Sequence, residues 1–172
     1  MNHSLSRKIR LVALLIMTLG LGACASGVKL DDVNPVKKVE GTSTSSKEGK
    51  YANEPWNDPA SPIYNKSFYF DFDNYTVKTS DQSTINAHAQ FLNGNKNQKI
   101  VIQGNTDDQG TTEYNLALGQ KRSEAVRKLL SLLGVSDNQM EAVSFGKEKP
   151  KATTTDDTGR AENRRADIVY IK

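Results

Sequence analysis

An arginine stands where an apolar side chain belongs. Leu118, Arg122, Ala125, Val126, Leu129 and Leu133 recur at spacings that put them on one face of a helix. A guanidinium on such a face is seldom buried without a partner. Fifteen residues before Arg122, Asp107 lies in the acidic turn Asn105-Thr106-Asp107-Asp108-Gln109-Gly110. That carboxylate and the guanidinium could take opposite charges of one small zwitterion. Guanidinium is a two-pronged donor for carboxylate, and carboxylate is a receptor for ammonium. Each residue also has a plainer role. Arg122 can snorkel to water from the edge of the stripe. Asp107 can accept turn N–H groups or face the positive end of the helix. Asn115, two turns before Arg122, shares its face.

The elements that must position these groups are legible from residue 66 onward. Phe68, Phe70 and Phe72 alternate with Tyr69, Asp71 and Asp73, the pattern of a strand with one apolar face. Thr79 or Ser80 is placed to cap a helix carrying Ile85, Ala89 and Leu92, ended by Gly94. Residues 99–104 read as a second strand. Thr111 or Thr112 caps a longer helix running to about Leu133, stopped by Gly134. Residues 140–144 form a third strand, 151–160 a polar loop, and 166–171 a last strand with Ile168 and Tyr170 opposite Val169 and Ile171. The expected fold class is an α/β (α+β) sandwich, a mixed sheet with two main helices packed on one face in the order β-α-β-α-β-β.

The run Gln103 to Arg122, with its N[TS]D..G…YN.ALG..R pattern, and the later Gly-Arg-Ala-Glu-Asn-Arg-Arg (159–165) resemble the OmpA-like peptidoglycan-binding domain. Within that family they are most similar to the peptidoglycan-associated lipoprotein group. The resemblance covers about residues 62–172 and the layout upstream. It implies that Asp107 and Arg122 grip meso-diaminopimelate of the peptidoglycan stem peptide. It also implies that Thr106 and Asn115 bond the ligand carboxylate or stabilise the turn. Asp73 would line the pocket, and Arg164 would close it from the last loop; otherwise Arg164 caps the final strand. Two stretches depart from the lipoprotein pattern. The usual TDERG turn is Thr106-Asp107-Asp108-Gln109-Gly110 here, without the arginine. The usual HDEAA(W/Y) before NRR is replaced by residues 155–161, Thr-Asp-Asp-Thr-Gly-Arg-Ala.

The upstream layout is that of an exported lipoprotein. Arg7, Lys8 and Arg10 precede an apolar run, Leu11 to Leu21, then Gly22-Ala23-Cys24. This is a secretory signal, too short for a helix spanning a bilayer, which needs ~20 apolar residues. Leu21-Gly22-Ala23-Cys24 looks like a bacterial lipobox, which implies cleavage after residue 23 and acylation of Cys24, the only cysteine in the chain. Ala25 and Ser26 follow. By analogy with enteric lipoproteins, the absence of Asp at the second mature position directs the protein to the outer membrane, lipid-anchored and facing the periplasm. Residues 24–62 read as a flexible tether, rich in Ser, Thr, Gly, Pro and charge. As a coil its 38 residues after the cysteine span roughly 35 Å. Fully extended they reach about 120 Å. Trp56 stands out in this tract, either docking on the domain or a partner, or an incidental aromatic.

The signal also explains the charge. The formal +3 comes from its three basic residues, and its removal leaves 20 basic against 20 acidic side chains. No nucleic-acid partner follows from a pI of 8.9 that describes the precursor. The mature chain would keep one histidine, His88, on a helix. No metal spacing, nucleophile elbow or phosphate loop is present, so neither a cofactor nor catalysis is expected. Asp71 and Asp73 could mimic a catalytic carboxylate pair, but strand alternation accounts for them. Two binding roles are left. The first is what the resemblance implies: a link between the outer membrane and the wall, as a component of the Tol-Pal system with a Tol propeller protein as partner. The second is a scaffold lipoprotein whose main ligand is another protein, such as an outer-membrane assembly complex.

Overall fold

The computed structural model describes residues 50–172. The signal, Cys24 and the first part of the tether lie outside the described residues. Four strands form one sheet: β1 (Ser67–Tyr69), β2 (Lys99–Asn105), β3 (Met140–Gly146) and β4 (Arg165–Ile171). The spatial order is β1-β4-β2-β3. β4 runs antiparallel to both of its neighbours, and β2 pairs with β3 in parallel. A parallel pair needs a crossover, and α2 (Thr112–Leu132) supplies it between β2 and β3. α1 (Gln82–Gly94) connects β1 to β2, and the short α3 (Asp157–Asn163) leads into β4.

Alternation along the strands puts one face of the sheet against the helices. Ile100 and Ile102 of β2 and Ile168 and Tyr170 of β4 join Ile85, Ala89 and Leu92 of α1 and Val126 and Leu130 of α2 in one core. The opposite face is left to solvent, with Val169 and Ile171 exposed. The sequence expectation of a mixed sheet with both main helices on one face is met.

Five local expectations fail, each for a physical reason. β1 ends at Tyr69, and the chain turns at Asp71–Asn74, where the Asn74 N–H donates to the Asp71 carbonyl. Phe72 therefore leaves the strand alternation and is 65% exposed. Neither Thr79 nor Ser80 caps α1; a 3₁₀ turn, Thr79–Asp81, leads into it with no side-chain cap. The buried stripe of α2 runs through Asn115, Leu118, Gly119, Arg122, Ser123, Val126 and Leu130, while Leu133 falls past the last turn and is exposed. The loop 151–160 contains the start of α3, capped by Asp156, whose carboxylate accepts the Gly159 N–H at 2.7 Å.

The fifth difference concerns the tether. Residues 55–62 do not hang free. Pro55–Asn57 form a 3₁₀ turn, and the Trp56 ring stacks on Tyr170 at 4.4 Å with 5° between planes. Phe91 meets the Trp56 ring edge-on at 5.9 Å. The Lys66 ammonium donates to the Trp56 carbonyl at 3.1 Å, and Lys172 pairs with Glu54 at 2.7 Å. Burial of a large aromatic outweighs the polar composition of its neighbours. A window average of polarity hides a single anchor of this kind.

Candidate functional site

At one end of the sheet, the β1–α1 turn and the β2–α2 turn face each other across α2. Gly104 and Gly119 allow the close approach. A Cβ on Gly104 would lie 1.8 Å from the Gly119 carbonyl oxygen, and one on Gly119 would lie 2.3 Å from Ser144 Oγ. One helical turn beyond this crossing, Arg122 enters the space behind the two turns. Thr111 starts α2 as expected, its hydroxyl accepting the Tyr114 N–H at 3.2 Å.

Arg122 is fully buried. It does not reach water from the edge of the stripe, and it makes no direct ion pair with Asp107 among the described residues. Its guanidinium donates to three backbone carbonyls instead: Nε to Asn74 at 2.9 Å, Nη1 to Asn105 at 2.8 Å and Nη2 to Asp71 at 3.2 Å. The Phe70 ring lies 5.2 Å from its central carbon. Burial pushes its pKa down to about 10, against the opposing pull of the nearby Asp107 charge. The side chain still carries its charge at neutral pH. It thus folds the 71–74 turn around itself and leaves a positive centre behind it.

Asp107 is 5% exposed. One carboxylate oxygen accepts the Gln109 N–H at 3.2 Å, the turn role that its position allows. The other is 3.2 Å from Arg164 Nη1. Arg164 also donates from Nε to the Phe70 carbonyl at 3.2 Å, so it ties the last loop to the end of β1. Asn115 donates to the Gln109 carbonyl at 2.9 Å and holds the β2–α2 turn in place. Thr106 is buried; its hydroxyl donates to the Asp107 carbonyl at 3.0 Å. Asp73 has a φ of 49°, the left-handed region that Asp tolerates better than most residues. The Tyr114 hydroxyl donates to the Asp73 carboxylate, and that bond holds the hydroxyl above its ordinary pKa.

Between these groups lies a cavity of about 170 Å³, lined by Phe72, Asp73, Asp107, Gln109, Gly110, Tyr114, Asn115, Leu118 and Arg122. The 69–164 stretch that frames it matches the OmpA family. The chain belongs to the OmpA family. The peptidoglycan-associated lipoprotein of Pasteurella multocida is 45% identical over 102 residues, which cover 59% of this chain and 68% of that one. That of Rhizobium meliloti is 35% identical over 156 residues, 90% of this chain and 84% of that one. The crystal structure of the peptidoglycan-associated lipoprotein from Burkholderia pseudomallei superposes with a TM-score of 0.67 at 59% identity. It covers 69% of this chain and all of that one.

In this OmpA-family domain, four of the residues singled out from sequence line the cavity: Asp73, Asp107, Asn115 and Arg122. Arg164 stands behind Asp107, and Thr106 opens on a neighbouring cavity. Sequence reading missed Phe72 and Tyr114 on the lining, because alternation assigned Phe72 to the core and Tyr114 is exposed on its helix. It also missed the carbonyls of Asp71, Asn74 and Asn105, since side-chain type says nothing about where main-chain oxygens point. Chemically, the cavity offers two carboxylates and one guanidinium around walls of Phe72, Tyr114 and Leu118. That set suits a short aliphatic chain ending in a charge pair.

Proposed function

We propose that this domain binds peptidoglycan without covalent attachment, by seating the zwitterionic end of diaminopimelate in the cavity between Asp107 and Arg122. The observation that carries this reading is a fully buried guanidinium at the back of a cavity whose walls hold two carboxylates. Asp107 and Asp73 receive the ligand ammonium, and Arg122 supplies the positive field and its remaining N–H groups for the carboxylate. Thr106, Asn115 and Arg164 hold the turn that presents Asp107. The name of the relatives from Pasteurella and Rhizobium, peptidoglycan-associated lipoprotein, supports peptidoglycan as the ligand. The role is binding rather than hydrolysis.

We propose further that Cys24 is acylated and holds the chain in the outer membrane, facing the periplasm, so that one molecule links membrane and wall. The lipobox and the relatives' shared name support this. On the family resemblance, the chain serves in the Tol-Pal system of the dividing envelope. Co-purification of a Tol propeller protein with the full chain checks that role.

The binding test uses the full chain in detergent and purified sacculi. Asp107→Asn keeps the acceptor for the Gln109 N–H and removes the charge. Loss of one partner of a desolvated charge pair costs ~2–5 kcal/mol. The variant should therefore co-sediment at least about thirtyfold more weakly. Free diaminopimelate should compete with sacculi, and 1,5-diaminopentane, which lacks both carboxylates, should compete poorly. Binding of Asp107→Asn at the wild-type level would remove this cavity from the mechanism. Release of soluble fragments from sacculi would point to a hydrolase.

A further inference from the structure

Arg165, the second arginine of Asn163-Arg164-Arg165, takes no part in lining the cavity. It is nevertheless buried, on the face of the sheet that the helices leave open. Alternation puts it there with Asp167 and Val169, since Ala166, Ile168 and Tyr170 fill the core. The chain after β3 covers it. Arg165 Nη2 donates to the Lys149 carbonyl at 3.3 Å. The ammonium groups of Lys149 and Lys151 reach down to Gln103 Oε1 and to the Tyr69 hydroxyl, each at 2.6 Å.

Under this cover Arg165 Nε pairs with Asp167 Oδ2 at 2.9 Å. The other oxygen of Asp167 accepts the Ser67 hydroxyl at 2.7 Å. Oδ2 also accepts the side-chain amide of Asn105 at 3.3 Å, and that amide donates to the Gln103 carbonyl at 3.1 Å. Asn105 is fully buried where the β2–β3 register slips. Its main chain belongs to the cavity side. The Asn105 carbonyl takes Arg122 Nη1 at 2.8 Å, and Asp107 follows two residues later. One residue therefore joins the open face to the site, held by Asp167 at its side chain and by Arg122 at its carbonyl.

Stability is a poor account of this cluster. Arg165 Nη1 and Asn105 Oδ1 are buried without a partner in the protein. Buried ion pairs often fail to repay their desolvation, and unbonded atoms add to the cost. What the cluster supplies is direction. A register slip takes a residue out of the regular ladder, so its carbonyl must be aimed by other means.

We propose that Arg165, Asp167 and Asn105 are positioning residues for the cavity. The ion pair on the open face fixes the Asn105 side chain, and the Asn105 carbonyl then aims the Arg122 guanidinium at the ligand. The effect on binding rests on the diaminopimelate reading, whereas the placement of Arg122 can be measured without ligand.

The test uses the full chain in detergent and two variants. Asn105→Ala cuts the link and leaves the ion pair. Asp167→Asn removes the charge that holds Asn105. In ligand-free NMR spectra the Arg122 Nε–H signal, identified by its loss in Arg122→Lys, should be displaced in both. Co-sedimentation with sacculi should weaken about tenfold in each, the lower end of what losing a partner behind a ligating group costs at metal sites. The double variant should stay near tenfold rather than reach about a hundredfold, because both changes act along one route. Trp56→Ala, at the far end of the core, controls for lost stability and should leave signal and binding as in wild type. Near-UV circular dichroism checks folding. Should Asp167→Asn not fold, Ser67→Ala takes its place, freeing one oxygen of Asp167 with a smaller displacement expected. An unmoved Arg122 signal in folded Asn105→Ala overturns the proposal. So does wild-type sacculus binding by both variants, or an equal loss in Trp56→Ala. If the signal moves but the wild type binds neither sacculi nor free diaminopimelate, the diaminopimelate reading fails and the positioning of Arg122 stands.

Discussion

Arg122 and His88 are both completely buried, and the fold treats the two ionisable groups in opposite ways. His88 lies in the aromatic end of the core. Its Nε2 meets the Asn65 carbonyl at 2.8 Å, and a carbonyl can only accept, so Nε2 carries the hydrogen. Nδ1 then accepts the Tyr170 hydroxyl at 2.7 Å. Burial holds the imidazole below its ordinary pKa, with the Lys66 charge adding to the effect. Burial also pushes the Tyr170 hydroxyl up, which suits it as the donor. His88 is thus kept neutral and fully bonded, and Trp56 closes that end by stacking on Tyr170. Arg122 cannot shed its charge near neutrality. The fold folds a turn around it, supplies three carbonyls, and leaves its outer side on a cavity with carboxylates. A group that can neutralise itself permits a closed core, whereas one that cannot makes a polar boundary suited to a charged ligand.

The contrast can be broken most forcefully at Arg122. Arg122→Met leaves the carbonyls of Asp71, Asn74 and Asn105 without their donor. Each unsatisfied buried acceptor costs ~1–3 kcal/mol, so urea unfolding should show a loss of about 3 kcal/mol or more. A loss under about 1 kcal/mol would mean that water replaces the guanidinium and that the carbonyl cage is incidental. This is also why Asp107→Asn, rather than an Arg122 variant, is the sharper probe of binding.

The closed end should respond next. Trp56→Ala removes the ring that stacks on Tyr170 and meets Phe91 edge-on. Fully buried tryptophans cost ~3–5 kcal/mol on truncation, and at this edge of the core about 2–3 kcal/mol is expected by thermal unfolding. Unchanged stability would show that residues 55–62 belong to the tether after all.

The pH dependence of stability distinguishes the two buried groups directly. The folded-state pKa of His88 lies below the unfolded value of 6.5. Above pH 6.5 both states are neutral and the full stability is present. As pH falls below 6.5, the unfolded chain takes up a proton that the folded one refuses. Stability should then decline by up to ~1.4 kcal/mol per pH unit until the folded pKa is passed. His88→Gln should flatten this part of the curve; an unchanged slope would place the titration elsewhere. The smallest effect is expected for Tyr170→Phe, which keeps the stack on Trp56 and removes one donor to His88. Denaturant titration should show a loss of about 1 kcal/mol, and a neutral result would mean that the imidazole is satisfied without it.

The strands, both main helices and the cap at Thr111 were readable because each rests on local spacing: period two, period near 3.6, or a cap at a helix start. The anomaly of Arg122 was readable for the same reason, as a charge at a position that the period reserves for apolar residues. The misreadings share a cause. Alternation puts Phe72 in the core because it does not say where a strand stops, and β1 stops when the chain turns to wrap Arg122. Sequence leaves Trp56 open between docking and an incidental aromatic because its stacking partner, Tyr170, is far along the chain. α3 carries no legible signal because its seven residues have too few turns for a period to show.

Sequence alone determined which residue types meet at the polar end, and the fifteen-residue interval between Asp107 and Arg122. Only the tertiary structure decided how those groups are used. It gave Asp107 to Arg164 and Arg122 to three main-chain carbonyls, and it joined the two departures from the lipoprotein pattern, Asp108 and Arg160, across separate loops. The reason is physical. Periodicity and capping act within a few residues, while the partners of a buried charge are whichever groups the packed sheet and helices bring within 3 Å or so, and backbone oxygens carry no mark in the sequence.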